Sequence, residues 1–209
     1  MTALSNMLLE TRAAPAAVER LFARSGAAID ALAQVVIDAN VRAALPSLPE
    51  TLAIAAESDW SRAVEALHDA DRLLVIGRGA SLAIAAEMAL KFKEVCGIQA
   101  EAFSAAEVQH GPMALIEVGY PVLVLAPRGP GQAGLMTLAE DLRGRGARVL
   151  LAAASRHAHA ELPVVSAAHD ALDHVSIVQS FYPMVEALAR ARGHDPDRPP
   201  HLSKVTKTT

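Results

Sequence analysis

The sequence predicts an α/β fold of three layers, in which a parallel sheet is flanked by helices and preceded by a helical N-terminal segment. From about residue 60 onward, short apolar runs alternate with segments of helical length, a pattern typical of parallel sheets covered by helices on both faces. The runs are continuously apolar, as strands buried on both faces are. The first 58 residues, by contrast, are rich in alanine and carry apolar residues at helical spacing.

Composition limits the classes of function. The length of 209 residues suggests one domain, or two at most. A net charge of −4 and an aromatic content of 3% argue against a nucleic-acid partner. The longest stretch without Asp, Glu, Lys, Arg or His is about eleven residues, too short to span a membrane. Because Cys96 is the single cysteine, an internal disulfide is excluded, and because the first residues lack a secretory signal, we expect a cytoplasmic protein.

Residues 1–58 are expected to form a helical N-terminal segment and a connector. Apolar residues recur there on one helical face, and Pro15 predicts a break in the first helix. Pro49 fits the first turn of a short helix. Asp59 is expected to cap the next helix, which should run through His68.

The α/β domain is expected to span residues 59–193, with a C-terminal tail at 194–209. A glycine turn follows its first strand, and Ser81 is expected to cap the helix after that turn. The predicted strands are 73–76, 121–126, 148–153 and 162–166, and the predicted helices are 81–96, 134–145 and 174–192.

The turn after the first strand is a candidate substrate-binding site. Gly77, Arg78, Gly79 and Ser81 follow the carboxyl end of a predicted strand, where parallel sheets bind ligands. The two glycines permit close backbone approach, and the next helix directs free N–H groups at the turn. Such a turn is equally common as a plain strand–helix connection, so both interpretations stay open.

Three charged residues share one face of the following helix. Glu87, Lys91 and Glu94 stand at positions i, i+4 and i+7. They fit either a solvated ladder of ion pairs or an acid–base site that apolar neighbours partly enclose. Residues 100–112 are expected to be rich in loops, and His110 among them can titrate near neutrality, which suits proton transfer.

Three motifs then give the chain a family resemblance. They are Ala89-Leu90-Lys91-Phe92-Lys93-Glu94, Ala100-Glu101-Ala102-Phe103 and Glu107-Val108-Gln109-His110-Gly111-Pro112. In order and spacing they resemble the second module of the sugar isomerase (SIS) family, whose members are aldose–ketose isomerases of hexosamine 6-phosphates. The resemblance covers about residues 60–209. Residues 7–15 and the ending His201-Leu202-Ser203-Lys204-Val205-Thr206 are similar to the two ends of that family.

The resemblance implies a flavodoxin-like or Rossmann-like fold and a set of roles. Glu94 would move a proton between carbons 1 and 2 of the open-chain sugar, while Glu87 and Lys91 orient it and stabilise the enediol-like intermediate. His110 of a neighbouring subunit would open the sugar ring, and Lys204 would engage the sugar carbonyl. A homodimer is therefore expected, and neither a metal nor an organic cofactor is implied.

The sequence also departs from the family pattern. Members normally carry a first module whose Ser-Gln-Ser-Gly loop holds the sugar phosphate, and no such loop is found here, so that this module is expected to be missing. The turn at 77–81 and the segment 128–131 could offer replacement anion contacts, and two paired chains could imitate the arrangement of two modules.

The expected function is that of a phosphosugar isomerase or deaminase acting on a hexosamine or ketohexose 6-phosphate. Because the chain does not begin with Met-Cys, hydrolysis of glutamine is not expected. The alternatives are a phosphosugar-binding protein without catalysis and an inactive shortened form.

Overall fold

A computed structural model describes residues 5–36, 39–154 and 160–200 of the chain. None of the helices in these ranges combines the length and hydropathy that a membrane span requires. The helices are α1 (Asn6–Val36), α2 (Ala39–Ala44), α3 (Leu48–Ala56), α4 (Ser61–Leu67), α5 (Ala80–Cys96), α6 (Gln132–Gly144) and α7 (Asp173–Ala191). The strands are β1 (Arg72–Gly77), β2 (Gln99–Ser104), β3 (Pro121–Ala126), β4 (Arg148–Ala154) and β5 (Leu162–Val164).

The five strands form one parallel sheet in the order β2-β1-β3-β4-β5, which confirms the predicted α/β fold. Helices α4, α5 and α7 cover one face of the sheet, and α6 covers the other. The rings of Phe92 on α5 and Phe181 on α7 meet edge to face, with centroids 5.3 Å apart, at the centre of the first layer. Each face of the central strands is therefore buried against helices, as the continuous apolar runs predicted.

Strand β2 corrects the prediction that residues 100–112 are rich in loops. It pairs with β1 in parallel register over all six of its residues. The sequence concealed this strand because alanine and glutamate, which alternate in it, have low β propensity. Its position at the edge of the sheet leaves it less buried than its neighbours, so it needs fewer apolar residues.

The turn between β1 and α5 is very tight. A Cβ atom on Gly77 would lie 2.4 Å from the carbonyl oxygen of Ser81, so a glycine is required there. The prediction that Ser81 caps the helix is wrong, because Gly79 is the N-cap and the helix already begins at Ala80. The Ser81 hydroxyl instead donates to the carbonyl of Arg78 at 3.0 Å.

Helix α1 runs through Pro15, where the sequence predicted a break. Proline has no backbone N–H, so the carbonyl of Thr11, four residues earlier, loses its partner within the helix. The side chain of Gln179 on α7 donates to that carbonyl at 2.8 Å. Helix α1 is therefore continuous because a tertiary contact replaces the missing bond.

The prediction for Pro49 is confirmed, because this residue lies in the first turn of α3. The prediction that Asp59 caps α4 is wrong, because the N-cap is Trp60, whose side chain makes no capping bond. The Asp59 carboxylate, one residue earlier, accepts a hydrogen bond from the backbone N–H of Ser61 at 2.9 Å. Helix α4 ends at Leu67, one residue before the predicted end.

Candidate active site

A cavity of about 550 Å³ opens where three helices meet the segment that follows α7. Helices α1, α5 and α7 form its walls, and residues 194–200, called the tail below, complete it. A cavity of this volume is in the range of small-molecule sites. The polar and ionisable side chains that line it are Glu10, Thr11, Glu87, Lys91, Glu94, Gln179 and Tyr182.

Helix α5 brings the three predicted acid–base residues together in this cavity. The ammonium nitrogen of Lys91 lies 2.6 Å from Glu94 Oε2 and 3.9 Å from Glu87 Oε1. Each side chain is about one third exposed or less: 27% for Lys91, 27% for Glu94 and 33% for Glu87. The groups therefore face a partly enclosed space that a small ligand can enter, rather than an open solvated surface.

Tyr182 on α7 also lines the cavity, and the sequence analysis did not predict it. Its hydroxyl donates to Glu87 Oε1 at 3.0 Å. Partial burial, reinforced by this bond and by the charge of Glu87, raises the pKa of Tyr182 to about 12. The hydroxyl therefore stays protonated near neutrality. The only sequence signal was a tyrosine within the long uncharged stretch at 175–185.

A buried hydrogen bond joins the start of α1 to α7 beside the cavity. Ser5 Oγ, next to the first residue of α1, donates to Glu186 Oε1 at 2.6 Å. Arg190 Nε, one turn further along α7, donates to the same oxygen at 2.5 Å. Glu186 is only 5% exposed, and the two donors compensate the cost of burying its charge.

The tail is bonded to the start of α1. The Asp197 carboxylate accepts from the backbone N–H groups of Asn6 at 2.7 Å and Met7 at 3.1 Å. These groups belong to a helix N-terminus, where N–H groups have no partner within the helix. The contact brings Pro196 and Pro199 to the cavity. Lys204 and the rest of the ending 201–209 lie outside the described residues.

A second cleft, of about 340 Å³, lies at the carboxyl ends of β1 and β3. The order of the strands reverses between β1 and β3, and open parallel sheets bind ligands at such a switch point. Arg78, Gly79 and Ser81 line this switch-point cleft, together with Arg128 from the turn after β3. The guanidinium of Arg128 is bound by the buried carboxylate of Asp173 through two contacts of 2.8 Å.

The structure thus places the predicted residues of α5 and those of the turn at 77–81 in two separate regions. Glu87, Lys91 and Glu94 line the cavity, whereas the turn at 77–81 borders the cleft at the opposite end of α5. Helix α5 rises about 21 Å between Ala80 and Glu94, at about 1.5 Å per residue. This distance exceeds the length of a hexose 6-phosphate, so a sugar in contact with Glu94 does not also reach the start of α5 within a single chain.

His110 lies in neither place. It ends a 3₁₀ turn, Glu107–His110, that follows β2, and its side chain is exposed. Two reciprocal bonds hold the start of that turn: the Ser104 N–H donates to the Glu107 carboxylate at 3.0 Å, and the Glu107 N–H donates to Ser104 Oγ at 3.1 Å. His110 is thus presented at the surface, and it does not line the cavity of its own chain.

Cys96 is a packed residue rather than a nucleophile. It is buried at the end of α5, and its thiol lies 3.5 Å from the carbonyl oxygen of Val185. Burial raises the pKa of the thiol to about 12. Over residues 5–36, 39–154 and 160–200, the His, Cys, Asp and Glu side chains form no group of three placed to hold a metal ion.

Residues 66–189 match the family model of the SIS domain. The chain belongs to the SIS domain family. The matched segment contains α5 with its three charged residues, the turn at 77–81 and His110. It contains neither α1 nor the tail, both of which line the cavity.

The sequence relatives of this SIS protein include a curated enzyme from Thermococcus kodakarensis, glutamine–fructose-6-phosphate aminotransferase (isomerizing). The two are 34% identical over 169 residues, which are 77% of this chain and 27% of the enzyme. The chain therefore spans about a quarter of the length of the curated relatives it matches.

Solved structures agree with this family. A phosphosugar isomerase candidate from Silicibacter pomeroyi DSS-3 has a TM-score of 0.71 and 43% identity, over 79% of this chain and 51% of that chain. The C-terminal domain of glucosamine-fructose-6-phosphate aminotransferase from Francisella tularensis has a TM-score of 0.66 and 24% identity, over 74% of this chain and 46% of that chain. The second likeness bears on the fold alone.

Proposed function

We propose that this SIS protein is a phosphosugar isomerase or deaminase that acts on a hexosamine or ketohexose 6-phosphate. The reaction would transfer a proton between neighbouring carbons through an enediol or enediolamine. One observation carries the proposal: Glu94 lies 2.6 Å from Lys91 in a partly enclosed cavity that is large enough for a hexose. The similarity to an aminotransferase that is named as isomerizing supports this class of reaction.

Glu94 is the proposed base. Removal of a proton beside a carbonyl needs a carboxylate within reach of carbons 1 and 2, and the same carboxylate can return the proton to the neighbouring carbon. The reaction leaves negative charge on the carbonyl oxygen. The ammonium of Lys91, fixed beside Glu94, provides a positive charge that stabilises the resulting enediolate.

Glu87 is proposed to orient these two groups. It lies one helical turn before Lys91, with its Oε1 atom 3.9 Å from the ammonium nitrogen. The hydrogen bond from Tyr182 holds the Glu87 carboxylate in place. It therefore serves as a fixed negative charge on the far side of the lysine.

Two further residues are proposed to act in the cavity: His110 of a second copy of the chain and Lys204 of the ending 201–209. His110 would open the sugar ring from a second copy of the chain, since it does not line the cavity of its own chain. This role requires a homodimer. Lys204 would engage the sugar carbonyl, a role suited to an amine, and the tail that precedes it passes the cavity at Pro199.

The turn formed by Gly77, Arg78, Gly79 and Ser81 is proposed as a contact for a phosphate group. The positive charge of Arg78, which lines the switch-point cleft, supports an anion there. Because this cleft is about 21 Å from Glu94 along α5, a phosphate bound in it belongs to a different ligand from the sugar at Glu94 of the same chain.

Proton exchange at carbon 1 of fructose 6-phosphate in deuterated water tests the proposed function. Purified protein is expected to exchange this proton, and Glu94→Gln is expected to slow the exchange by about 100-fold or more, because general base catalysis contributes at least that much. Glu140→Gln, which changes an exposed carboxylate on α6, should have no effect.

Exchange by the native protein that does not exceed the Glu94→Gln level would overturn the proposal. Calorimetry with fructose 6-phosphate would then distinguish a binding protein without catalysis, which shows a saturable heat of binding, from an inactive form, which shows none.

A further inference from the structure

Within the described part of the cavity, one ammonium group lies close to two carboxylates. Lys91 is the only cation among the described lining residues, and both Glu87 and Glu94 lie within 4.0 Å of it. The ammonium nitrogen is 2.6 Å from Glu94 and 3.9 Å from Glu87. The choice of partner matters because the ammonium stabilises negative charge that develops beside the carboxylate it contacts.

Helix geometry by itself favours the pairing of Lys91 with Glu87 over the observed pairing with Glu94. A glutamate placed four residues before a lysine forms a better pair than a lysine placed before a glutamate, because the helix dipole favours that order. Glu87 and Lys91 have the favoured order. Lys91 and Glu94 have the reverse order, at a spacing of three. The observed pairing is therefore not the one that helix order favours.

Tyr182 supplies a contact from outside α5. Its hydroxyl donates to Glu87 Oε1 at 3.0 Å, and this is the oxygen that lies 3.9 Å from Lys91. A neutral donor from α7 thus satisfies the carboxylate that would otherwise attract the lysine. Since the pKa of Tyr182 is raised to about 12, its hydroxyl remains a donor across the physiological range.

We propose that Tyr182 is a positioning residue that assigns Lys91 to Glu94. By donating a hydrogen bond to Glu87, it leaves the lysine free to bind Glu94. The inference deepens the proposed function and rests on it for its consequence in catalysis, because Glu94 is the proposed base. The pairing itself is a property of the resting protein and can be measured without turnover.

Crystal structures of two hydroxyl-deletion variants test the pairing. In Tyr182→Phe the ring stays and the donor is lost, so the Lys91 ammonium is expected to move to hydrogen-bond distance of Glu87, about 3 Å, and to leave Glu94. Tyr120→Phe removes the other hydroxyl of this kind in the chain and should change neither distance. A Lys91 that stays closest to Glu94 in Tyr182→Phe would overturn the proposal.

A double variant separates positioning from general loosening of the site. In Tyr182→Phe/Glu87→Gln the competing charge is gone, so Lys91 is expected to return to Glu94. Loosening would leave the lysine displaced in both variants and would contradict the proposal. If Tyr182→Phe does not fold, Tyr182→Leu removes the same hydroxyl, and the same displacement of Lys91 is expected.

The rate of proton exchange gives a second readout. In Tyr182→Phe, loss of the ammonium beside Glu94 should lower kcat for the exchange about 10-fold or more and change KM little, because the charge that stabilises the enediolate is displaced. Adding Glu87→Gln should recover part of this loss, because the lysine then returns to Glu94.

The two proposals fail in different ways. Absence of exchange in the native protein would count against the proposed function alone, and the position of Lys91 would still decide the role of Tyr182. Exchange with an unchanged kcat in Tyr182→Phe would count against that role alone.

Discussion

The charged residues of α5 depend on a partner that lies far away in the sequence. Helical periodicity alone places Glu87, Lys91 and Glu94 on one face. The donor that holds Glu87 is Tyr182, which is 95 residues away. The helix therefore sets which groups are neighbours, and α7 sets how they pair.

Titration of the tyrosines tests the environment of Tyr182. Burial is the main reason for its raised pKa, and the bond to Glu87 is the second. Tyr182 should therefore contribute little tyrosinate absorbance up to about pH 11, because its pKa lies above that range. Glu87→Gln is expected to lower the pKa of Tyr182 while leaving it above the ordinary value, since the burial remains.

Tyr182→Phe is the control for this titration. Below about pH 11 its tyrosinate absorbance should match that of the native protein, because the deleted hydroxyl ionises little there. Loss of a full tyrosinate signal in that range would show that Tyr182 is not held in the manner described.

The sequence predicted the charged face of the site and missed the groups opposite it. Glu87, Lys91 and Glu94 were predictable because helical spacing is local. Tyr182 and Gln179 were not, because their roles come from the packing of α7 against α5 and α1, and that packing leaves no periodic signal of its own.

Among the elements, α1 shows how a tertiary contact can overrule a local signal. Pro15 removes one bond of the helix, and Gln179 replaces it from α7. The same bond ties the α1 wall of the cavity to the α7 wall.

Substitution at Gln179 tests this replacement. Gln179→Leu leaves the carbonyl of Thr11 without a partner in a buried position, which should lower the free energy of unfolding by about 1–3 kcal/mol. The measurement is urea denaturation of the native protein and the variant.

The same substitution in a Pro15→Ala protein tests whether the loss of stability depends on the proline. In Pro15→Ala the backbone N–H of residue 15 becomes available to the Thr11 carbonyl, so Gln179→Leu should then cost less than half as much. An equal loss of stability in the two backgrounds would show that the contact between Gln179 and Thr11 is not what keeps α1 continuous.

Elements with a strong local pattern were predicted well, and β2 was not. Strands β1, β3 and β4 are buried on both faces, so their apolar runs are visible in the sequence. Strand β2 lies at the edge of the sheet and alternates alanine with polar residues. What makes it a strand is its pairing with β1, which a local pattern does not record.

At the scale of the whole molecule, the cavity is assembled from distant parts of the chain. Helix α1 and the tail are joined through Asp197, and together they close a site whose charged residues belong to α5. The matched SIS segment, 66–189, supplies the sheet, the charged face on α5 and the α7 wall, while α1 and the tail supply the other walls. A shortened form without α1 or the tail would leave Glu94 more open to water.

The cavity at Glu94 and the switch-point cleft lie at opposite ends of α5, so the location of a bound sugar shows which of them is the active site. The most direct measurement is a crystal structure of the protein with fructose 6-phosphate. Carbons 1 and 2 are expected within about 3.5 Å of the Glu94 carboxylate, the separation that proton transfer requires. A sugar phosphate bound only in the switch-point cleft, with the Glu94 cavity empty, would contradict the assignment of this cavity as the active site.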